Sequence, residues 1–425
     1  VEYQEKELKK GIKIHTINTE KFKTNLIAVF LTTKLSRENV TKNALISTIL
    51  RRGSKNMQTQ EEISKQMEEL YGAGFDCGLD KTGDNQVLKF YIEIINDNFL
   101  PQKGEKMLEV SLEKLFDIVF NPYLENDKFK EEYVNQEKNN IKQRIEGKID
   151  NKSRYSLERC IEEMYKDEPF GLYKFGYIED LEKIDGKNLY EYYKNLINTC
   201  KIDIFVSGIV DEETKEIIRQ NENIEKLKER EAQYISPNRT KNKLKEKEEI
   251  VMESMDIAQG KLVVGLDLDI DIEKEESKYE ALIYNSILGG SANSKIFQNV
   301  REKANLAYAA NSSYLRHKNN IFINCGIEIN NYEKALELIK EQLEDMKKGD
   351  FTEENIEDSK KGILATVKTI DDEQDTSITY FFGQELAKKK TSIEEYVNKI
   401  SNVKKEDIIN IANKVRINTI YFLKN

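Results

Sequence analysis

Two side chains near the end of one segment hold most of the chemistry this sequence offers. In Leu288–Tyr314, LGGSANSKIFQNVREKANLAYAANSSY, Arg301 and Tyr308 stand seven residues apart. A guanidinium presents a fork of N–H donors and a phenol presents one O–H. By spacing alone the plainer reading is an ordinary salt bridge and a core aromatic. Around them, Gly289-Gly290-Ser291 ends one helix and permits backbone shapes closed to other residues. Ser291, Asn293 or Ser294 can cap the next helix, which buries Ile296, Phe297, Val300 and Ala304. Arg301 lies on the flank of that face. Asn305 stops the helix, and Leu306-Ala307-Tyr308 starts a strand. Arg301 and Tyr308 are thus expected near the same end of a sheet.

Other reactive constellations are missing. The chain has two His in 425 residues, His15 and His317, one in each half. A hydrolytic zinc site needs about three protein ligands and an open position, and two isolated His do not supply it. They read as surface residues, His15 on a strand Gly11–Ile17 and His317 in a turn between strands. No G-x-S-x-G elbow accompanies either, so a Ser-His-Asp triad has no support. No phosphate-cradling Gly-rich loop follows a strand, and Gly83-Asp84 is a hairpin turn. Cys77, Cys160, Cys200 and Cys325 lie 83, 40 and 125 residues apart. That spacing fits buried reduced thiols rather than a zinc knuckle. Glu158, Glu162 and Glu163 read as a solvated helix face.

The elements that position these residues come in two similar sets. Shifting the chain by 237 places Ala44-Leu45-Ile46 on Ala281-Leu282-Ile283, Gly53-Ser54 on Gly290-Ser291, Tyr71 on Tyr308 and Ala73 on Ala310. Each half opens with an apolar strand, LIAVFLTT at Leu26–Thr33 and KLVVGLDLD at Lys261–Asp269. A helix, a Gly-Ser turn, a second helix and two strands follow in both. Long charged helices come next, Lys128–Arg144 and Thr352–Thr369. A closing helix and strand end each half, within Asn188–Ser207 and Glu406–Leu423. This repetition argues for duplication. Gln86–Ile95 and Asn319–Ile329 alternate like half-buried strands. Strands in clusters and helices in runs imply α+β. The expectation is two duplicated domains, 1–235 and 236–425, each an antiparallel sheet with helices packed on one face. The charge-rich stretch Arg219–Glu249 reads as an exposed connection or a solvated helix with a loop.

Composition narrows the function classes. Lys+Arg number 67 against 77 Asp+Glu, a net charge of −10. An acidic chain with dispersed Lys has no electrostatic footprint for nucleic acid. No stretch approaches the roughly 20 apolar residues that cross a bilayer. The first six residues, VEYQEK, hold no apolar signal core. With the scattered thiols, this points to the cytoplasm.

The run GGS-x-x-SKIFQNVREKANLAYAANSSY resembles the signature in the C-terminal half of the pitrilysin/insulinase-type zinc metallopeptidases. That family includes the mitochondrial processing peptidases, and the chain is similar to its non-catalytic YmfF-like bacterial subunits. The resemblance implies duplicated α+β halves over nearly the whole chain, as in one half of a clam-like peptidase. It gives Arg301 and Tyr308, with Gly289, Gly290 and Ser291, a part in binding a peptide substrate beside zinc. The family's His-x-x-Glu-His belongs on the helix before Gly53-Ser54, where this chain has Ala44, Ser47 and Thr48. The resemblance therefore implies no metal or cofactor held by this chain, and zinc with its Glu base in a homologous catalytic partner. Two other expectations remain open, a peptide-binding or scaffold protein of the same fold, and a homodimer of the isolated chain that retains only binding.

Overall fold

The structure is a computed structural model and describes residues 2–100, 106–236, 245, 247–270 and 276–425. The chain forms two units. One comprises Val1–Glu146, Leu172–Ile235 and Asp371–Gly383, and the other Gly147–Gly171, Ser236–Ile370 and Gln384–Asn425.

The first unit is built on strands β1 (Glu2–Lys9), β2 (Ile12–Asn18), β3 (Thr24–Lys34), β4 (Gly74–Thr82) and β5 (Asn85–Ile95). A small hairpin follows, β6 (Leu124–Glu125) and β7 (Lys128–Phe129), and β8 (Lys201–Gly208) completes the sheet. The order is β1-β2-β8-β3-β5-β4. The second unit holds β9 (Glu249–Ser254), β10 (Gly260–Leu268), β11 (Ala307–Leu315), β12 (Asn320–Ile327) and β13 (Val415–Lys424), in the order β11-β12-β10-β13-β9. Read from β4 and from β11, the two sheets have the same plan. β4, β5, β3, β8 and β2 correspond to β11, β12, β10, β13 and β9. Even the exceptional pair matches, since β2 runs parallel to β8 and β9 parallel to β13, while the remaining neighbours are antiparallel. The duplication read from the sequence is thus a duplication of topology. The antiparallel sheets gain one parallel pair each.

The central strands are continuously apolar because both their faces are covered. From Asn25 to Thr33 every residue of β3 is buried. One face meets the main helix layer, which includes Val40–Ile49, Met107–Phe120 and Gly186–Thr199 in the first unit. The other face carries a helix taken from the opposite half of the sequence. In the second unit, Lys152–Met164 packs on β10 and β13, joining Cys160 and Met164 to Val263, Phe322, Tyr421 and Leu423. In the first unit, Gln374–Gly383 does the same. Phe382 sets its ring 4.8 Å from Phe30, and Phe381 stacks on Tyr3 at 4.1 Å. The units are therefore not the halves 1–235 and 236–425 taken whole. The chain does pass from one unit to the other between Ile235 and Ser236, but each unit also borrows one helical segment.

This exchange amends two readings. β5 and β12 alternate in sequence yet are buried along most of their length, because the borrowed helices cover the face expected to meet solvent. The connecting stretch is also less exposed than its charge suggested. Arg230 is buried and donates from Nη1 to the carbonyl of Ile197 at 2.7 Å. Residues 237–244 and 246 of that stretch lie outside the described residues.

Gly265 marks where the borrowed helix sits closest. A Cβ there would stand 2.9 Å from Met164 Sδ and 3.5 Å from Cys160 Sγ. Strand glycines commonly record such close approaches. Gly265→Val should push the helix Lys152–Met164 off β10 and cost about 1–3 kcal/mol, the usual range for overpacking. Urea unfolding of the variant checks this, and an unchanged midpoint would show that the helix does not seat there.

Candidate functional site

The segment carrying Arg301 and Tyr308 folds as two widened helical turns around the Gly-Gly-Ser loop. Ser286–Gly290 and Phe297–Lys303 are both π-helical, a geometry rare overall and frequent at functional sites. The widening is visible in the bond from Ala304 N to Asn299 O, 3.2 Å and five residues back. Ile296 and Val300 are buried as expected. Asn305 takes φ 51°, left-handed, and ends the turn. Among the described residues no side-chain bond from Ser291, Asn293 or Ser294 caps this helix. The Ser294 hydroxyl is buried without a hydrogen-bond partner.

Both π-helical segments pack against β11, the edge strand of its sheet. Gly289 is buried against it, and a Cβ would stand 2.8 Å from the backbone nitrogen of Ser312. Only glycine lets the loop cross the strand so closely. Gly290 and Ser291 are exposed beyond it. Arg301 lies with its guanidinium 4.6 Å from the centre of the Phe297 ring, a cation–π contact, and 3.3 Å from Glu302. Tyr308 is not a core aromatic. The pairing of β11 with β12 slips between Ala307 and Ala309, so Tyr308 occupies a bulge, and its side chain is 66% exposed. Bulges re-aim side chains and recur beside active sites.

The matching place in the first unit is built differently. Ala44, Ser47 and Thr48 are all buried on helix Val40–Ile49. The hydroxyls of Ser47 and Thr48 donate to their own helix, to Ala44 O at 2.8 Å and Leu45 O at 3.1 Å. Beside them Arg51, Arg52 and Arg144 share a hollow with Glu137, whose buried carboxylate accepts from Arg52 Nε at 2.5 Å. Neither His nor thiolate lines the hollow, its one carboxylate is committed to a guanidinium, and three positive charges surround it. These residues do not fit a zinc ion, which needs N, S or O ligands free to bind.

Neither His is a surface residue. His15 is fully buried, with Nε2 3.0 Å from Asp203 and Nδ1 2.8 Å from the Tyr3 hydroxyl. The Phe205 ring stacks on it at 4.2 Å, and Tyr3 is in turn stacked by Phe381. His317 is half-buried, and burial, aided by Arg316 and Lys278, pushes its pKa down to about 4. The unfolded chain binds a proton near the ordinary value, so stability drains as pH falls from about 6.5 to about 4. His317→Asn should remove up to about 3 kcal/mol of that slope. Denaturant titrations at pH 7 and pH 4.5 measure it, and an unaltered slope would contradict the assignment. Glu158, Glu162 and Glu163 are held in ion pairs with Arg154, Lys148 and Arg159, a structural lattice rather than a free face.

Comparison with known proteins agrees with this architecture. Residues 183–363 match the family model for the peptidase M16 inactive domain. The chain is 37% identical over 416 residues to the probable inactive metalloprotease YmfF of Bacillus subtilis, covering 97% of this chain and 96% of that protein. It is 26% identical over 426 residues to an uncharacterized zinc protease of Rickettsia felis, covering 96% and 93%. The crystal structure of a conserved protein from Enterococcus faecalis V583 superposes with a TM-score of 0.90 at 27% identity, covering 100% of this chain and 98% of that one. The chain belongs to the M16 peptidases, the pitrilysin/insulinase-type family. Within it, this member's sequence holds no His-x-x-Glu-His, its two His standing at 15 and 317.

Proposed function

We propose that the chain is the non-catalytic, substrate-binding subunit of a heterodimeric zinc metallopeptidase that cleaves peptides. Its partner is a homologous chain with the zinc motif, which supplies the metal and the general base. This chain supplies binding groups. Gly289, Gly290 and Ser291 guide the peptide, Arg301 donates to a substrate carbonyl, and Tyr308 donates to the oxyanion that develops at the cut. An extended peptide can add to an open strand edge through main-chain hydrogen bonds, and β11 is such an edge. The observation that carries the reading is the exposure of Tyr308 at the β11 bulge. A phenol with a packing role alone has no reason to stand in solvent there.

We place the pair in the cytoplasm. Four unpaired cysteines suit a reducing compartment, and no helix among the described residues is long and apolar enough to cross a membrane. The test is co-expression with a homologous chain bearing His-x-x-Glu-His, followed by a peptide-cleavage assay. Activity that needs both chains and is lost on chelation supports the proposal. A partner that is fully active alone, or a pair that never forms, refutes it.

A further inference from the structure

The hollow beside Thr48 is chemically unusual for this chain. The protein carries a net charge of −10, yet here three guanidiniums face one carboxylate. The lining is Thr48, Arg51, Arg52, Glu137 and Arg144, with the amides of Gln60, Asn140 and Gln143, around about 370 Å³. Arg52 neutralises Glu137. Arg51 and Arg144 have no carboxylate partner among the described residues. Arg144 lies 5.4 Å from the Phe175 ring, and Arg51 neighbours the Cys77 thiol, which burial pushes up against the pull of that guanidinium. Two guanidiniums without a carboxylate partner among the described residues, beside three amides, form a donor set suited to an anion. Guanidinium forks bind carboxylates in two-point fashion.

A second hollow of about 350 Å³ adjoins it and shares Arg51 and Gln60. Its lining mixes the apolar Ile63, Met67, Ala73 and Phe75 with Ser64, Glu68 and Gly72. Cationic donors thus adjoin a recess with an apolar side, formed by Ile63, Met67, Ala73 and Phe75, across the shared Arg51 and Gln60. The carboxy-terminal residue of a peptide has the matching layout, since its carboxylate and its side chain branch from one Cα. We propose that this unit binds the free carboxy terminus of a peptide ending in an apolar residue. Arg51 and Arg144 hold the carboxylate, and Ile63, Met67 and Phe75 receive the side chain. The site belongs to this chain alone and does not depend on a partner subunit.

The experiment uses the purified full-length chain and a fluorescein-labelled hexapeptide ending in Leu. Its affinity by anisotropy is compared with that of the same peptide as a C-terminal amide. A third peptide is amidated and carries an internal Asp, and inorganic phosphate serves as competitor. The free acid is expected to bind at least about tenfold more tightly than either amidated peptide, since losing a charge-assisted bond costs about 1.5–3 kcal/mol. Arg51→Gln with Arg144→Gln should lower that affinity about tenfold or more, with an unchanged circular dichroism spectrum and at most a small fall in melting point from the lost contact with Phe175. Neither arginine has a carboxylate to strand, so folding should survive. Arg51→Lys with Arg144→Lys keeps the charge and should recover only part of the loss. Equal binding of acid and amide overturns the proposal, as does full affinity in the double Gln variant. Equally tight binding of the internal-Asp peptide, or displacement by phosphate at concentrations matching the peptide's affinity, overturns it in favour of a general anion site.

Discussion

Tyr308→Phe in this chain, paired with a zinc-bearing homologue, should leave assembly intact and lower peptide turnover by roughly 10²–10³-fold. That is the loss seen when one preorganised donor to an oxyanion is removed, about 3–4 kcal/mol. The substitution deletes a single hydroxyl from a residue that is 66% exposed. It creates no cavity, so the melting temperature of the chain should not move. The two readouts separate a binding role from a structural one, because a packing residue would change stability first. The loss should fall on kcat and on kcat/KM together, as expected when an interaction is made only in the transition state. Arg301→Gln should differ. Losing a donor to a ground-state carbonyl raises KM with a smaller change in kcat, and loss of the contact with Phe297 adds a small cost in stability. Wild-type turnover by the Tyr308→Phe pair removes Tyr308 from the proposed mechanism.

Much of this arrangement is legible in the residues. Asn305, a helix stop by its residue type, takes φ 51°, a conformation that Asn tolerates better than most side chains. Gly83-Asp84 closes a two-residue hairpin, with Gly83 at φ 56° and Thr82 opposite Asn85. The shift of 237 residues that aligned Tyr71 with Tyr308 pairs two large exposed rings. Each ring lies just before or within an edge strand of its sheet. Other features leave no periodic trace. The π-helical turn at Phe297–Lys303 depends on bonds reaching five residues back, and a helical pattern looks the same over so short a stretch. The arginine hollow draws Arg51 and Arg144 together across 93 positions, which no local spacing reports. Sequence reading missed it for that reason. The borrowed helix did leave a sign, the glycine inside KLVVGLDLD. Gly265 weakens a strand unless something must approach it, and here a helix does. His15 reads as a surface residue because the partners that enclose it, Asp203 and Phe205, stand on a strand about 190 positions away.

Asp203→Asn should be the most destabilising of the conservative substitutions in the first unit, by roughly 3–5 kcal/mol at pH 7. Asp203 is fully buried on β8 and accepts from Lys201 Nζ and from His15 Nε2. Lys201 is itself buried. Burial alone would push the carboxyl up, but Lys201 and the His15 bond outweigh it and hold the carboxyl at about 2. Removing one charge of a buried pair leaves the other uncompensated, and that accounts for the size of the effect. The pH dependence gives the sharper signature. A carboxyl depressed in the folded state stabilises the protein fully above its unfolded value, and the contribution is lost as pH falls from about 3.8 towards 2. The gap between parent and variant should therefore be constant from pH 7 to about 5 and narrow below pH 4, where the unfolded parent takes up a proton at Asp203 that the folded parent does not. Denaturant titrations of both proteins at pH 7, 5 and 3.5 measure this gap. A difference under about 1 kcal/mol at pH 7, the worth of an ordinary exposed ion pair, or a gap that widens on acidification, would mean that the buried carboxylate does not anchor the His15 and Lys201 side chains.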